Sequence, residues 1–418
     1  MQATPSVSFN KANAQASTPR GREFRLLLDC LRCQEEMLAA QRIPPDLDWD
    51  CFLQTAQRHS VLPLVHRALA HHPSVPAPAR EALESEFRKN ALRSLVLTAE
   101  LMRLLDGFSQ WGIPLLPYKG PTLAQQLYGD VALRSFSDLD LLVRIGDVQH
   151  AMEALQSLGY AADQPVPPAR RAAHLAFASE QMFRRTTGAT LVELQWRIAP
   201  RYFSVNFEWD WLWSTTVRVS LGERHVPALA PEALLLVLSV HGAKHGWESL
   251  VWVADIAQLV RQHPELDWHS VLRTARSLGI ERLLFLALFL AEEVLAVSPP
   301  DAVARLVASD SALPWLWSRV EHHLASEVRG VPSLADHWFS LRGRERWRDR
   351  FRYVARLSLT PNPQDWALLA LPSALSPLYF CLRLVRLLGR TARWAWRRAL
   401  LAVAALASGS AQNAVERS

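Results

Sequence analysis

The stretch LLPYKGPTLAQQLYGDVALRSFSDLDLLV (residues 115–143) decides the fold class of this 418-residue chain. A short apolar run ends in Tyr118-Lys119-Gly120 and passes directly into a helix-like segment. After Gly129 a loop leads into a second apolar run, which begins at Asp138. Strand, helix, loop and strand within one short stretch predict a compact α/β unit.

The pattern changes on both sides of this unit. Before it, from Phe24 to Gln110, apolar residues recur at helical spacing and predict about three helices. Beyond Trp209 the sequence returns to helix, with helical segments expected at roughly 232–245, 250–262, 268–297 and 301–328. The fold class predicted is therefore α+β, with a small mixed sheet embedded between two helical regions. The expected regions are a disordered leader at 1–22, helices at 23–111, the α/β core at 112–200, helices at 201–330 and a basic, amphipathic helical tail at 331–418.

Composition agrees with a large, mostly helical protein. The chain is 50% hydrophobic and 21% charged, which allows a sizeable core. Its 4 cysteines form neither a disulfide framework nor a four-ligand metal site, so a reducing cytoplasm fits best. No uninterrupted apolar stretch reaches the roughly 18–20 residues that a spanning helix needs. We expect a cytoplasmic location, with peripheral attachment to the inner face of the membrane as an extension.

Two aspartates at the start of the second apolar run suggest a metal site. Asp138 and Asp140 are two residues apart, so in a strand both carboxylates leave the same face. Such a pair can bind Mg²⁺, or Mn²⁺ in its place, once a neighbouring strand adds a third acid. Residues 179–197 are predicted to form a hairpin with a turn near Thr187-Gly188. Glu193 is the candidate, because it alternates with apolar residues in the second strand of this hairpin, LVELQWRI (191–198). The alternatives without a metal site are a solvated loop for Asp138 and Asp140 and an exposed hairpin position for Glu193.

Phosphate-binding groups surround these acids in the sequence. A strand that ends in Lys119-Gly120 and turns into a helix presents backbone N–H groups and the positive end of a helix dipole to a triphosphate. Arg134, Ser135 and Ser137 could hold further phosphate oxygens. The bland alternative for Lys119 is a lysine that merely ends a strand.

A histidine-containing segment follows later, in HGAKHGWESLVWVADIAQL (241–259). His241 and His245 are four apart, and Trp252 and Asp255 continue that face if Gly246 does not break the helix. The His-Glu-x-x-His pattern of metalloproteases is absent, because glycine follows the first histidine. A polar stripe packed on the α/β unit and a substrate-contacting surface are both open readings.

The tail carries most of the positive charge. Residues 342–398 contain 13 Arg, no Lys and 3 acidic residues, a balance of +10 in a chain whose net charge is +6. Five arginines spaced by three or four predict one basic helix face beside an apolar side, a pattern suited to an anionic membrane surface. These arginines are Arg383, Arg386, Arg390, Arg393 and Arg397. The alternative is an arginine-rich surface helix whose apolar side packs on its own protein.

Several motifs together resemble an uncharacterised bacterial nucleotidyltransferase family of the DNA polymerase β superfamily. They are YKG (118–120), RSFSDLDLLV (134–143), LVELQWRI (191–198), the histidine segment (241–259) and DWALLALPSALSPLYFCLRLVRLL (365–388). The likeness spans roughly residues 24–390. It implies a nucleotidyltransferase core and Mg²⁺-dependent transfer from an NTP, such as ATP, to an acceptor that is a small molecule, a sugar or a protein.

The resemblance also implies roles for individual residues. Gly120 takes the place of the phosphate-loop glycine, Asp138 and Asp140 that of the metal pair, and Glu193 that of the third acid. It favours a substrate cleft faced by His241, Lys244, His245 and Asp255.

The sequence departs from the superfamily pattern at two places. Lys-Gly stands where Gly-Ser is usual, and Gln195 stands where a histidine is expected. The alternative functions are a catalytically silent nucleotide-binding or scaffolding subunit of surface-polysaccharide or modified-peptide assembly, and a membrane-surface adaptor. We expect no sequence-specific binding of nucleic acid.

Overall fold

The structure is a computed structural model that describes residues 19–32, 43–167, 171–326, 334–359, 378–383, 385–386 and 389. The chain divides into two compact units. The first comprises the residues up to Gln164, Ser179–Ala199 and Val205–Trp347. The second comprises Pro165–Ala178, Pro200–Ser204 and the residues from Arg348 onward.

A small mixed sheet lies in the first unit, as predicted for an α+β protein. Its strand order is β1-β2-β5-β4-β3; β2 and β5 pair in parallel, and the other neighbours are antiparallel. The strands are β1 (Leu116–Pro117), β2 (Asp138–Leu142), β3 (Tyr160–Ala162), β4 (Glu180–Arg185) and β5 (Leu191–Gln195). The hairpin predicted over 179–197 is present as β4 and β5, whereas β3 was not predicted.

Alternation along β2 and β5 separates the core side of the sheet from its polar side. Leu139, Leu141, Val192 and Leu194 are at most 1% exposed. Full burial of such a side chain stabilises the fold by about 1.5–3 kcal/mol relative to an exposed position. Because side chains alternate, the acidic residues between them leave the opposite face.

Four described helices precede the sheet, where the sequence predicted about three. They are Pro19–Arg32, Trp49–Arg58, Leu62–Leu69 and Ala77–Gln110. The last of these contacts the loop before β2, because the Asn90 amide donates to the Ala132 carbonyl at 2.8 Å. This buried hydrogen bond fixes one side of the loop that leads to Asp138.

The region after the sheet is not purely helical, contrary to our expectation. Strands β6 (Thr216–Leu221) and β7 (Arg224–Leu229) form an antiparallel hairpin. Leu221 pairs with Arg224, so the turn consists of two residues, and Gly222 at φ +63° supplies its left-handed position. The turn is thus typical of a hairpin, but Pro227 within β7 argues against a strand in that segment when the sequence is read alone.

Helices surround this hairpin. Two long helices expected at 268–297 and 301–328 are each divided in two; Gly279, at φ +70°, ends the first half of one of them. The helices are Trp209–Ser214, Pro231–Lys244, Leu250–Gln262, Trp268–Leu278, Glu281–Leu295, Asp301–Ser309, Leu313–Ala325 and Leu334–Arg342.

The second unit holds the described part of the basic tail. The rings of Phe177 and Phe380 meet edge to face at 5.5 Å. Arg383, which we expected on an exposed basic face, is only 9% exposed and donates to the Leu357 carbonyl at 3.2 Å. It therefore packs on its own unit. Three further members of the predicted face lie outside the described residues, namely Arg390, Arg393 and Arg397.

Among the described helices, none has the length and apolar character required to cross a membrane.

Candidate functional site

Three carboxylates share one face of the sheet, as the alternation predicted. Asp138 is the first residue of β2, and Asp140 lies directly opposite Glu193 in the parallel β2–β5 register. All three line a cavity of about 500 Å³. A volume of this size is typical of small-molecule sites, which run from about 300 to 1,000 Å³.

A network of donors holds two of these carboxylates together. The Gln195 Nε2 atom donates to Asp140 Oδ1 and to Glu193 Oε2, at 2.8 Å each. The Tyr118 hydroxyl donates to Gln195 Oε1 at 2.6 Å, which turns the amide nitrogen toward the acids. Lys119 adds an ammonium group 2.7 Å from Asp140 Oδ1. The acid pair is therefore bound by one neutral and one charged donor.

The electrostatics of the site favour a cation. Burial, and then the neighbouring Asp140, raise the pKa of Asp138 to about 6. Burial, followed by the charges of Asp140 and Glu180, raises the pKa of Glu193 to about 8. Burial disfavours the charged form of Lys119, but the adjacent Asp140 carboxylate raises the pKa of the lysine. Crowded, partly buried acids of this kind are stabilised in their charged form by added positive charge.

The donor set suits Mg²⁺ in its chemistry. Hard divalent cations prefer carboxylate oxygens, and three carboxylates converge here from two adjacent strands. Within the described part of the chain, no group of three or more His, Cys, Asp or Glu side chains is already arranged as a metal cage. The Gln195 amide and the Lys119 ammonium bridge the acids instead. The residues thus fit a metal ion in the chemistry of their donor atoms and in the face of the sheet that they share.

Gly120 brings the backbone close to these acids. It begins the helix Gly120–Tyr128 and has φ +60°, a conformation that other residues rarely adopt. A Cβ atom at this position would lie 3.5 Å from the Asp138 carbonyl oxygen. Ser135 and Ser137 line the same cavity. The helix N-terminus, its glycine and two hydroxyls therefore surround the entrance to β2, where the sequence predicted phosphate contacts.

Arg134 and Asp255 form a buried ion pair. Arg134 donates from Nε and Nη2 to both Asp255 oxygens, at 2.8 to 3.1 Å, and the Tyr128 hydroxyl donates to Oδ1 at 2.9 Å. We expected Asp255 to face the cleft, but it is 0% exposed and does not line the cavity. Its partner Arg134 does line the cavity, with its charge already matched. The pair joins helix Leu250–Gln262 to the loop before Asp138.

The histidine segment is bent by its two glycines. Helix Pro231–Lys244 ends before Gly246, whose φ is +61°, so the single helix face considered from the sequence does not continue. The fully buried Trp247 folds back against Gly242, where a Cβ atom would lie 2.6 Å from its ring. After this turn a new helix, Leu250–Gln262, brings Trp252 back to the histidines. The packing of Trp247 against Gly242 thus sets the direction in which the chain continues toward Trp252.

All but one of the predicted site residues line the one cavity. Lys244 Nζ lies 3.9 Å from Glu180 Oε2, an acid that the sequence analysis did not single out. The residues that meet there are Lys119, Gly120, Arg134, Ser137, Asp138, Asp140, Glu193, His241, Lys244 and His245. Of the predicted site residues, Asp255 alone does not line this cavity.

Four further cavity residues were not predicted from the sequence. Gln57 and Arg93 belong to the N-terminal helices and Ser60 lies in the turn after helix Trp49–Arg58, all far along the chain from the carboxylates. Ser249 lies in the histidine segment, just before helix Leu250–Gln262. The helix that carries Arg93 also contacts the loop before β2, through the hydrogen bond from the Asn90 amide to the Ala132 carbonyl.

Comparison with known proteins yields one match. A family described as uncharacterised nucleotidyltransferase matches residues 45–296, which is more than half of the chain and includes every residue of the cavity. No curated protein and no solved structure matches.

Proposed function

The chain belongs to this uncharacterised nucleotidyltransferase family, and we propose that it transfers a nucleotidyl group from an NTP to a hydroxyl-bearing acceptor with Mg²⁺. One observation carries the proposal: Asp138, Asp140 and Glu193 converge on one face of the sheet, inside a cavity and beside a helix that begins at a glycine.

The residues of the cavity divide by task. Asp138, Asp140 and Glu193 would hold the metal, which when bound supplies positive charge to the phosphates. The Gly120 amide at its helix N-terminus, with the hydroxyls of Ser137 and its neighbour Ser135, binds phosphate oxygens. Arg134 supports the loop before β2 through its ion pair with Asp255.

The reaction is an in-line displacement at the α-phosphorus. The acceptor oxygen forms a bond to that phosphorus while the bond between the α-phosphorus and the bridging oxygen of the β-phosphate breaks. Pyrophosphate leaves with the electron pair. A Glu193 carboxylate oxygen takes the proton of the acceptor hydroxyl, and positioning with charge neutralisation provides most of the rate.

A labelling experiment tests this proposal. The purified full-length protein is incubated with Mg²⁺, a cell lysate and each α-³²P-labelled ribonucleoside triphosphate in turn. We expect one species to become labelled, pyrophosphate to be released, and both signals to disappear in Asp140→Asn. Unchanged labelling in Asp138→Asn and Asp140→Asn would overturn the metal assignment. NTP binding without any transfer would favour the silent subunit.

We also propose that the second unit attaches peripherally to anionic lipid, on a separate observation. In helix Trp347–Leu359 the side chains of Phe351 and Val354 are 69% and 46% exposed, and Arg352 is exposed beside them. Exposed aromatic and apolar side chains with arginine neighbours on a helix favour the interface of an anionic membrane. The +10 balance of residues 342–398 complements such a surface.

A further inference from the structure

An aromatic wall lies in the same cavity as the carboxylates. It consists of His241, His245 and Trp252, all of which line the cavity. The ring centroids of the two histidines are 4.8 Å apart, and Trp252 lies 5.4 Å from His241 and 5.3 Å from His245. Two helices meet here, so the three rings form one continuous surface.

The imidazole groups of this wall have no protein partner within the described residues. Neither His241 nor His245 takes part in a side-chain hydrogen bond or an ion pair, although His241 is only 9% exposed. Their ring nitrogens are not fully buried and can be reached from the cavity. Since both side chains line the cavity, a ligand in that cavity can supply the partners.

Burial favours the neutral form of both histidines. Burial, and then the charges of nearby lysines, lower the pKa of His245 to about 3. Burial likewise lowers the pKa of His241 well below its ordinary value, with Lys119 as the next cause. A neutral imidazole carries one N–H donor and one nitrogen acceptor, and it lacks the charge that favours phosphate binding.

The wall and the phosphate-binding side therefore differ in chemistry. Lys119, Gly120 and the serine hydroxyls offer positive charge and donors next to the acids. The wall offers aromatic rings together with paired donor and acceptor nitrogens. A planar heteroaromatic ring with its own donors and acceptors matches such a surface, because it stacks on aromatic side chains and hydrogen-bonds along its edge.

We propose that His241, His245 and Trp252 bind the nucleobase of the NTP, while the carboxylates and Gly120 bind its phosphates. The inference rests on the proposed function, since it assigns one part of that substrate to one wall of the cavity. Gly242 and Gly246 fix the shape of this wall before a ligand binds. Trp247 packs against Gly242, and the chain reverses direction at Gly246. A preformed wall lowers the entropic cost of ordering the base.

Calorimetry with two probes separates the wall from the phosphate side. The full-length protein is titrated, in Mg²⁺, with each of the four ribonucleoside triphosphates and with inorganic tripolyphosphate. Stacking on one aromatic side chain contributes a factor of about 5 to 150 in affinity. We therefore expect Trp252→Ala to weaken binding of the preferred NTP by about that factor and to leave tripolyphosphate affinity unchanged.

Two more variants refine the test. His245→Phe keeps an aromatic ring and removes the nitrogens, so a loss of NTP affinity without a loss of tripolyphosphate affinity assigns hydrogen bonding to that residue. Trp111→Ala is the matched control, because Trp111 is 46% exposed and lies outside the cavity. Melting temperatures of all variants are recorded, and Trp252→Leu, which keeps an apolar side chain but removes the aromatic ring, replaces Trp252→Ala if the latter does not fold.

The outcomes distinguish the two proposals. If the wild type binds no NTP, the proposed function fails and the base site with it. If the wild type binds an NTP and Asp140→Asn weakens binding, but Trp252→Ala and His245→Phe do not, only the base site is overturned. Equal losses for NTP and tripolyphosphate in Trp252→Ala would also overturn it, because the wall would then be acting through the structure of the whole cavity.

Discussion

The buried pair between Arg134 and Asp255 gives a prediction whose size follows from the structure. Asp255→Asn keeps the shape of the side chain and removes its charge. The Asp255 and Arg134 side chains are 0% and 6% exposed, so the guanidinium group would remain buried without a counter-charge. Removing one partner of such a pair costs about 3–5 kcal/mol. This is a large part of the roughly 5–15 kcal/mol that stabilises a typical folded protein.

Urea denaturation measures this loss. We expect Asp255→Asn to unfold at a clearly lower urea concentration, and Asp106→Asn to change the free energy of unfolding by about 1 kcal/mol or less. Asp106 is the control because it pairs with Arg224 at the surface, where the two side chains are 52% and 50% exposed. Replacing Arg134 and Asp255 together by Met and Leu should cost less than the sum of the single changes.

The opposite result would refute this reasoning. If Asp255→Asn is as stable as Asp106→Asn but loses NTP binding, then Asp255 reaches the substrate and the buried pair is not its main role. If the variant is destabilised yet binds NTP normally below its melting temperature, the pair acts as a support for the loop before β2. Calorimetry on the folded variant at low temperature decides between the two.

Three further predictions concern the acids and the tail. Glu193→Gln should lower kcat at least tenfold while changing NTP affinity less than threefold, as single-turnover kinetics and calorimetry can show, since its task is at the reacting centre. Folding raises the pKa of Asp138 to about 6 and that of Glu193 to about 8. Between about pH 4 and 8 the folded, metal-free protein therefore binds more protons than the unfolded chain, so its melting temperature should fall as the pH rises through that window. Glu193→Gln should make this fall smaller. Co-sedimentation with anionic liposomes should decrease with added salt and in a charge-reversal variant in which Glu replaces Arg352, Arg386, Arg390 and Arg393. If that variant binds the liposomes as the wild type does, the lipid proposal is wrong.

Local periodicity was sufficient to predict the carboxylate face. Asp138 and Asp140 share a face because side chains alternate in any strand, and Glu193 was assigned from the same alternation. The sequence does not determine the parallel register that sets Asp140 opposite Glu193, because this register depends on how β2 and β5 pair across the sheet. The α+β class followed from elements that are short and well separated in the sequence.

Long-range packing accounts for the features that were missed. Asp255 lies 121 residues from Arg134, and no local pattern pairs them. The break at Gly246 follows from the burial of Trp247 against Gly242, which a helical wheel does not include. Arg383 fits an exposed basic face by spacing, but its hydrogen bond to the Leu357 carbonyl turns it inward.

Gln195 shows how a departure from an expected motif can be consistent with the same site. The structure gives it a neutral amide that donates to Asp140 and Glu193 together, with Tyr118 donating to its oxygen. The reverse amide orientation would point an oxygen at two carboxylates, so the network determines the flip. A histidine at this position would change its charge with pH, whereas the amide donates at every pH. Gln195 therefore holds Asp140 and Glu193 with a group that does not itself titrate.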